Sequence, residues 1–309
     1  MDPLPTTSAR AIHFRSPDGV ELVASRLHSA GTGPAVLLAH GFGQTRQSWL
    51  ATQDRLAAAG HGSLAWDMRG HGQSARNPAG LDYCVDQFVA DHAAAADAIS
   101  PMPILVGASM GGLCGLLAQD REPLYSALVL VDVTPRWEAA GMQRIRDFMQ
   151  AFPEGFESYK QASMAIAAYL PHRRERKTPE QLASLLRAAP GERLQWHWDP
   201  RLLPQLVAGS ERLQEAISQA AGRLDVPVLL ISGGRSDLVS AETIAHFLQL
   251  VPHAQHVRLA DATHMVAGDD NDAFIDTLLA FLRAQFPGAT PTFRQPAHSA
   301  ASHTSGVPR

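Results

Sequence analysis

Short apolar runs alternate with helical patterns along this chain, and that alternation limits the fold more than any other feature. The runs are AVLLAH (35–40), SLAWD (63–67), PILVGA (103–108), ALVLVD (127–132), VPVLLIS (226–232) and AQHVRL (254–259). Two weaker ones, AIHFRS (11–16) and VELVASRL (20–27), precede them. Pro and Gly punctuate the series, as in GTGP before residue 35 and PMP before residue 104. Helical stretches fall between, for example over 84–99 and 240–250. A last one, near 270–286, opens on the acidic residues GDDND, which suit a helix amino terminus. Strands alternating with helices predict an α/β fold, here a mostly parallel eight-stranded sheet with helices on both faces.

The alternation stops after Asp132. From about 134 to 222 the pattern is helical with no good strand, and bulky side chains gather there: Trp137, Phe148, Phe152, Phe156, Tyr159, Trp196 and Trp198. An α-rich insert between two sheet strands predicts a lid over the strand ends. The expected organisation is a first part of the core over 1–133, a helical lid over 134–222, the rest of the core over 223–286 and a tail over 287–309. The tail has few apolar residues and much Pro, Ser, Thr and Ala, a composition that predicts disorder. The run HRRERK (172–177) reads as a solvated face rather than a site.

Composition narrows the function classes. The chain has 309 residues, 45% of them hydrophobic, enough to bury a sizeable core. A net charge of −4 gives no reason to expect nucleic acid or an anionic membrane as partner. Two cysteines, Cys84 and Cys114, are too few for a disulfide framework or a structural zinc site. The first residues, MDPLPTTSAR, lack the basic start and apolar run of a signal peptide, and no apolar run approaches the length of a membrane span. The expected location is the cytoplasm.

Chemistry first shows in Gly107-Ala108-Ser109-Met110-Gly111. A G-x-S-x-G pattern alone is weak, but this one follows the strand-like PILVGA and opens the helical MGGLCGLLAQD. That is the context in which a strained turn lifts a serine clear of a sheet, and flanking glycines make room for the turn. Cys114, inside the following helix, reads as packing. Acyl transfer also needs two backbone N–H donors for its oxyanion. Met110 supplies one, and Phe42 in the loop His40-Gly41-Phe42-Gly43 supplies the other. Among 14 histidines, His264 lies just past the last strand, near the sheet's carboxyl edge, and is the expected base. His40 and His71 read as structural. Two acids end strands: Asp237 in GGRSD and Asp132 in ALVLVD. Asp237 is the expected acid, because it gives the order serine, acid, histidine in separate loops. Asp132 is its rival.

With HGFG at 40, DMRGHGQS at 67, GASMGG at 107, GGRSD at 233 and THM at 263, the sequence resembles the α/β-hydrolase family over most of residues 20–286. The HGF and SMGG wording is similar to the branch of esterases, C–C bond hydrolases and cofactor-free haloperoxidases acting as perhydrolases. The resemblance implies Ser109 as nucleophile, His264 as base, Asp237 as its orienter, and Phe42 and Met110 as oxyanion donors. Epoxide hydrolases and haloalkane dehalogenases look similar at HGFG and DMRGHG but carry aspartate where this chain has Ser109.

The expected activity is hydrolysis of a carboxylic ester or related acyl bond in a small, apolar substrate through an acyl-enzyme. One alternative is C–C bond hydrolysis of a diketone-like substrate by the same triad; another is a non-catalytic ligand-binding protein on this scaffold. No metal or organic cofactor is expected, since H-E-x-x-H, P-loop and dinucleotide fingerprints are missing. The aromatic insert offers Trp137 and Phe148 as candidate substrate contacts.

Overall fold

The computed structural model describes residues 9–169, 178–207, 210–263 and 272–288. Among these residues ten strands occur in chain order: β1 (Arg10–Arg15), β2 (Glu21–Leu27), β3 (Gly33–Ala39), β4 (His61–Asp67), β5 (Ile104–Ala108), β6 (Ala127–Val131), β7 (Leu186–Ala188), β8 (Leu194–Trp196), β9 (Val228–Gly233) and β10 (Gln255–Leu259). Eight of them, the eight read from the sequence, form one sheet in the order β1-β2-β4-β3-β5-β6-β9-β10. The contacts of β2 with β1 and β4 are antiparallel, and every other pairing in this sheet is parallel. Helices α1 (Leu50–Ala58), α2 (Val85–Asp97) and α3 (Met110–Arg121) follow β3, β4 and β5. Between β6 and β9 lie α4 (Ala139–Gln150), α5 (Tyr159–Tyr169), α6 (Pro179–Ala183), α7 (Leu202–Val207) and α8 (Ser210–Ala221). Helix α9 (Ala241–Leu250) joins β9 to β10, and α10 (Asp272–Gln285) follows β10.

Period-2 alternation explains the two cores. Leu37, Leu105, Leu128, Leu130, Val228 and Leu230 point to one face, where α3, α8 and α9 cover them with Cys114, Leu116, Ile217, Ala220, Ala221 and Phe247. Val36, Leu38, Ile104, Val106, Val129, Leu229 and Ile231 point to the other, under Leu56 of α1 and an apolar stripe of α10 running from Phe274 to Leu282. Strands buried on both faces must be apolar throughout, which is why the central ones were plain in the sequence.

The stretch 134–222 departs from the all-helical reading in two ways. It contains the hairpin β7–β8, with Leu186 opposite Trp196 and Ala188 opposite Leu194. These strands of three residues are too short to show a period. Also, the end of the stretch packs on the sheet: Trp198, Leu202, Leu203 and the buried face of α8 belong to the main core. What precedes Trp198 has its own small cluster, made of Phe156, Ala162, Ile166, Leu182 and Leu186 with Phe148, Phe152 and Trp196 against it. His264, the run 172–177 and the tail from residue 289 lie outside the described residues.

Candidate active site

The parallel register brings four strand ends together at the carboxyl edge of the sheet. Ala39 pairs with Gly107, Ala108 with Val131, and Val131 with Ile231. His40, Ser109, Asp132 and the Gly233 turn therefore emerge side by side, where open α/β sheets hold their ligands.

Ser109 has φ 46° and ψ −119°, a conformation that L-residues seldom adopt. Close packing imposes it. A Cβ on Gly107 would come within 2.5 Å of Gly112, and one on Gly111 within 2.6 Å of the His40 carbonyl. Only glycine lets α3 start so close to β5 and β3. The Ser109 N–H donates to Val131 O at 3.1 Å, tying the turn to β6. The serine stays half-exposed while Ala108 behind it is buried.

The loop after β3 lies against this serine, since a Cβ on Gly41 would meet Ser109 Cβ at 3.2 Å. Its backbone is held by imidazoles. Met68 N–H donates to His40 Nε2 at 3.0 Å, so the proton sits on Nδ1, which donates to Gly41 O at 2.8 Å. That carbonyl belongs to the same trans peptide as the Phe42 N–H, so fixing the oxygen aims the N–H the opposite way. Gly43 N–H donates to His71 Nε2 at 3.3 Å, and His71 Nδ1 donates to Arg69 O at 3.1 Å. Burial lowers the pKa of both rings, and for His71 the neighbouring His40 and His197 add to the effect. Among the described residues, the N–H groups of Phe42 and Met110 have no hydrogen-bond acceptor. The sequence reading names these same two N–H groups as the expected oxyanion donors.

The two acids sit in different surroundings. Asp132 is fully buried and also left-handed, with φ 48°. Its Oδ1 accepts Gly233 N–H at 2.7 Å and its Oδ2 accepts the Ser236 hydroxyl at 2.6 Å. Thr263, the residue before His264, lies against this spot: a Cβ on Gly233 would be 2.7 Å from Thr263 O. Asp237 is one residue further along the turn, with its side chain 32% exposed and 3.2 Å from Arg144 of α4. Arg144 also donates to Tyr169 O at 2.7 Å. Chain order alone could not separate these acids, because the difference lies in which neighbouring strand end each carboxylate faces.

Cys114 is buried, and burial pushes its thiol up to about 12, which leaves it unionised and inert near neutral pH. Phe148 stacks on Tyr169 at 4.2 Å and meets Trp196 edge-on, inside the insert's cluster. Trp137 packs against the main core. Among the described residues, no cluster of acids, histidines and cysteines could hold a metal, and no helix is long and apolar enough to cross a membrane.

Residues 34–271 match the profile of the α/β hydrolase fold. The chain belongs to the α/β-hydrolase family. This α/β-hydrolase is 28% identical to a 3-hydroxybutyrate-oligomer hydrolase of Cupriavidus necator, over 81% of the chain and 89% of the relative. It is 30% identical to an N-formylmaleamate deformylase of Pseudomonas putida, over 83% and 91%. Among solved structures it is similar to E-2-(acetamidomethylene)succinate hydrolase, with a TM-score of 0.74 and 23% identity, covering 88% of this chain and 99% of that one. Family and relatives alike make this chain a hydrolase.

Proposed function

We propose that this α/β-hydrolase cleaves a carboxylic ester or related acyl bond of a small substrate through an acyl-enzyme on Ser109. The observation that carries the reading is Ser109 in its left-handed turn, beside two N–H groups with no acceptor among the described residues. Ser109 Oγ attacks the carbonyl carbon while His264 takes its proton. The carbonyl oxygen becomes the oxyanion between the N–H groups of Phe42 and Met110. The leaving group departs with the proton from His264, and water repeats the sequence on the acyl-enzyme.

For the acid, the sequence reading names Asp237 and geometry favours Asp132, and we assign Asp132. It is buried, its oxygens are oriented by Gly233 and Ser236, and the segment entering His264 runs against Gly233. A carboxylate held this way can fix the tautomer of a histidine and stabilise its cation. Asp237 instead pairs with Arg144 of the insert. One relative is named for hydrolysing a 3-hydroxybutyrate oligomer and another for removing formyl from N-formylmaleamate, both acyl substrates, which supports acyl transfer. The insert forms a lid whose aromatic residues, Trp137 and Phe148 among them, bear on substrate choice.

A fluorophosphonate mimics the tetrahedral state and tests the nucleophile. It should add once, at Ser109, and stop turnover of an aryl ester. Ser109→Ala should resist labelling and lose at least about a thousandfold in kcat. An adduct at Cys114, or none on the folded wild type, would overturn the reading.

A further inference from the structure

The loop that carries the Phe42 N–H is gripped from a third side, by a residue of the insert that the mechanism above does not use. His197 follows β8 and is buried. Gly72 N–H donates to its Nδ1 at 2.8 Å, which puts the proton on Nε2, and Nε2 donates to Gly43 O at 3.2 Å. Burial lowers this imidazole to about 4, so it is neutral where hydrolases work. Arg76 holds the carbonyls of His197 and Trp198 at 3.2 and 3.4 Å, fixing the backbone behind the ring. Trp198 then lies against Phe42, ring centroids 5.0 Å apart. Gly43 is left-handed at φ 73°, and a Cβ there would strike Met149 of α4 at 2.8 Å.

Each peptide of the loop is thus fixed by a different element. His40, at the end of β3, holds the 41–42 peptide, and His71 holds the 42–43 peptide from the loop after β4. His197 alone of these three comes from the insert, and it holds the carbonyl side of the 43–44 peptide, whose Gln44 N–H donates to Gly41 O at 3.1 Å within the loop. Without it, only the Gln44 N–H bond to Gly41 O restrains that peptide, beside a residue whose lack of a Cβ makes rotation easy, and Gly41 O is itself the carbonyl of the peptide that carries the Phe42 N–H.

We propose that His197 is a positioning residue for the oxyanion hole, through which the insert sets the direction of the Phe42 N–H. The proposal rests on the acyl-transfer reading above. It implies that the insert does more than select substrates: the oxyanion donor reaches its working geometry only with the insert seated.

Three variants of the full chain separate positioning from mere packing. His197→Gln keeps a distal N–H that can reach Gly43 O. His197→Asn keeps a near oxygen for Gly72 N–H but cannot reach Gly43, and His197→Ala keeps neither. The readouts are kcat and KM for p-nitrophenyl acetate, the Kd of phenylboronic acid, which forms a tetrahedral adduct on the serine, and Tm. Removing an oxyanion donor costs about a hundred- to a thousandfold, so misaiming one should cost roughly tenfold or more. Expected is that loss in kcat, with matching loss of boronate affinity, in the Asn and Ala variants, KM staying within about twofold and Gln recovering most of the rate. Equal rates for Gln and Asn, or rate losses that track only Tm, would overturn the proposal. Failure of the fluorophosphonate to label wild-type Ser109 would instead sink the acyl-transfer reading, so the two failures are distinguishable.

Discussion

From β3 to β9 the sheet is packed on both faces, and its strand ends are tied by short backbone bonds such as Asp132 N–H to Ile231 O at 2.7 Å. The insert before Trp198 has a much smaller cluster around Phe156 and meets the core through a few apolar side chains, Trp137, Met149 and Trp196, and through polar contacts: Arg144 on Asp237, Glu138 N–H on Leu238 O, and His197 on Gly43 and Gly72. The sheet can hold a strained serine in place because so much surrounds it. The insert is secured by few contacts, so the rest of its sequence can change while those contacts stay. Reacting groups belong on the first kind of structure and substrate choice on the second.

The sharpest way to break this division is to exchange the roles of the two acids. Asp132→Asn should lower kcat by about 10³- to 10⁴-fold in a folded protein, the scale of a lost triad carboxylate. Asp237→Asn should cost only a few fold, because an exposed pair with Arg144 contributes little. The reverse ranking in aryl-ester kinetics would return the acid to Asp237. Next in size, Phe156→Ala empties the centre of the insert's cluster and should cost about 3–5 kcal/mol, felt locally. Limited proteolysis should then cut within the insert while hydrogen exchange in β5 and β6 stays slow; equal loss of protection in both would mean that sheet and insert melt as one unit.

The mildest test uses pH. The imidazoles of His40, His71 and His197 are depressed by burial when folded, His197 to about 4, whereas an ordinary imidazole titrates near 6.5. Between those values the unfolded chain binds more protons than the folded one. Stability is therefore full above about pH 6.5 and falls as pH drops toward 4, by about 1.4 kcal/mol per pH unit for each ring that stays neutral. Urea unfolding across that window should show the slope, and His197→Gln should flatten it. An unchanged slope in that variant would mean that His197 titrates normally in the fold.

Most of the sheet was legible in the sequence because double burial forces continuous apolar runs, and each of the eight strands fell within two residues of its expected bounds. The strand–turn–helix setting of Ser109 was legible for a related reason: glycines at 107, 111 and 112 mark close approach. The hairpin β7–β8 escaped because LRA and LQW are too short to carry a period. His197 escaped because it stands 154 residues from the carbonyl it holds, with no local pattern to mark it. The choice between Asp132 and Asp237 turns on side-chain direction at neighbouring strand ends, which chain order does not encode.

The 2.6 Å contact between Ser236 and Asp132 carries a consequence for how such a site can be rewired. Two neighbouring strands each bring a side chain to one spot near Thr263, Asp132 after β6 and Ser236 after β9. Moving the carboxylate across, by combining Asp132→Asn with Ser236→Asp, would shift its point of attachment by one strand while leaving the charge almost where it was. Activity regained by that double variant would make the acid a transferable part of the sheet's edge rather than the property of a single strand.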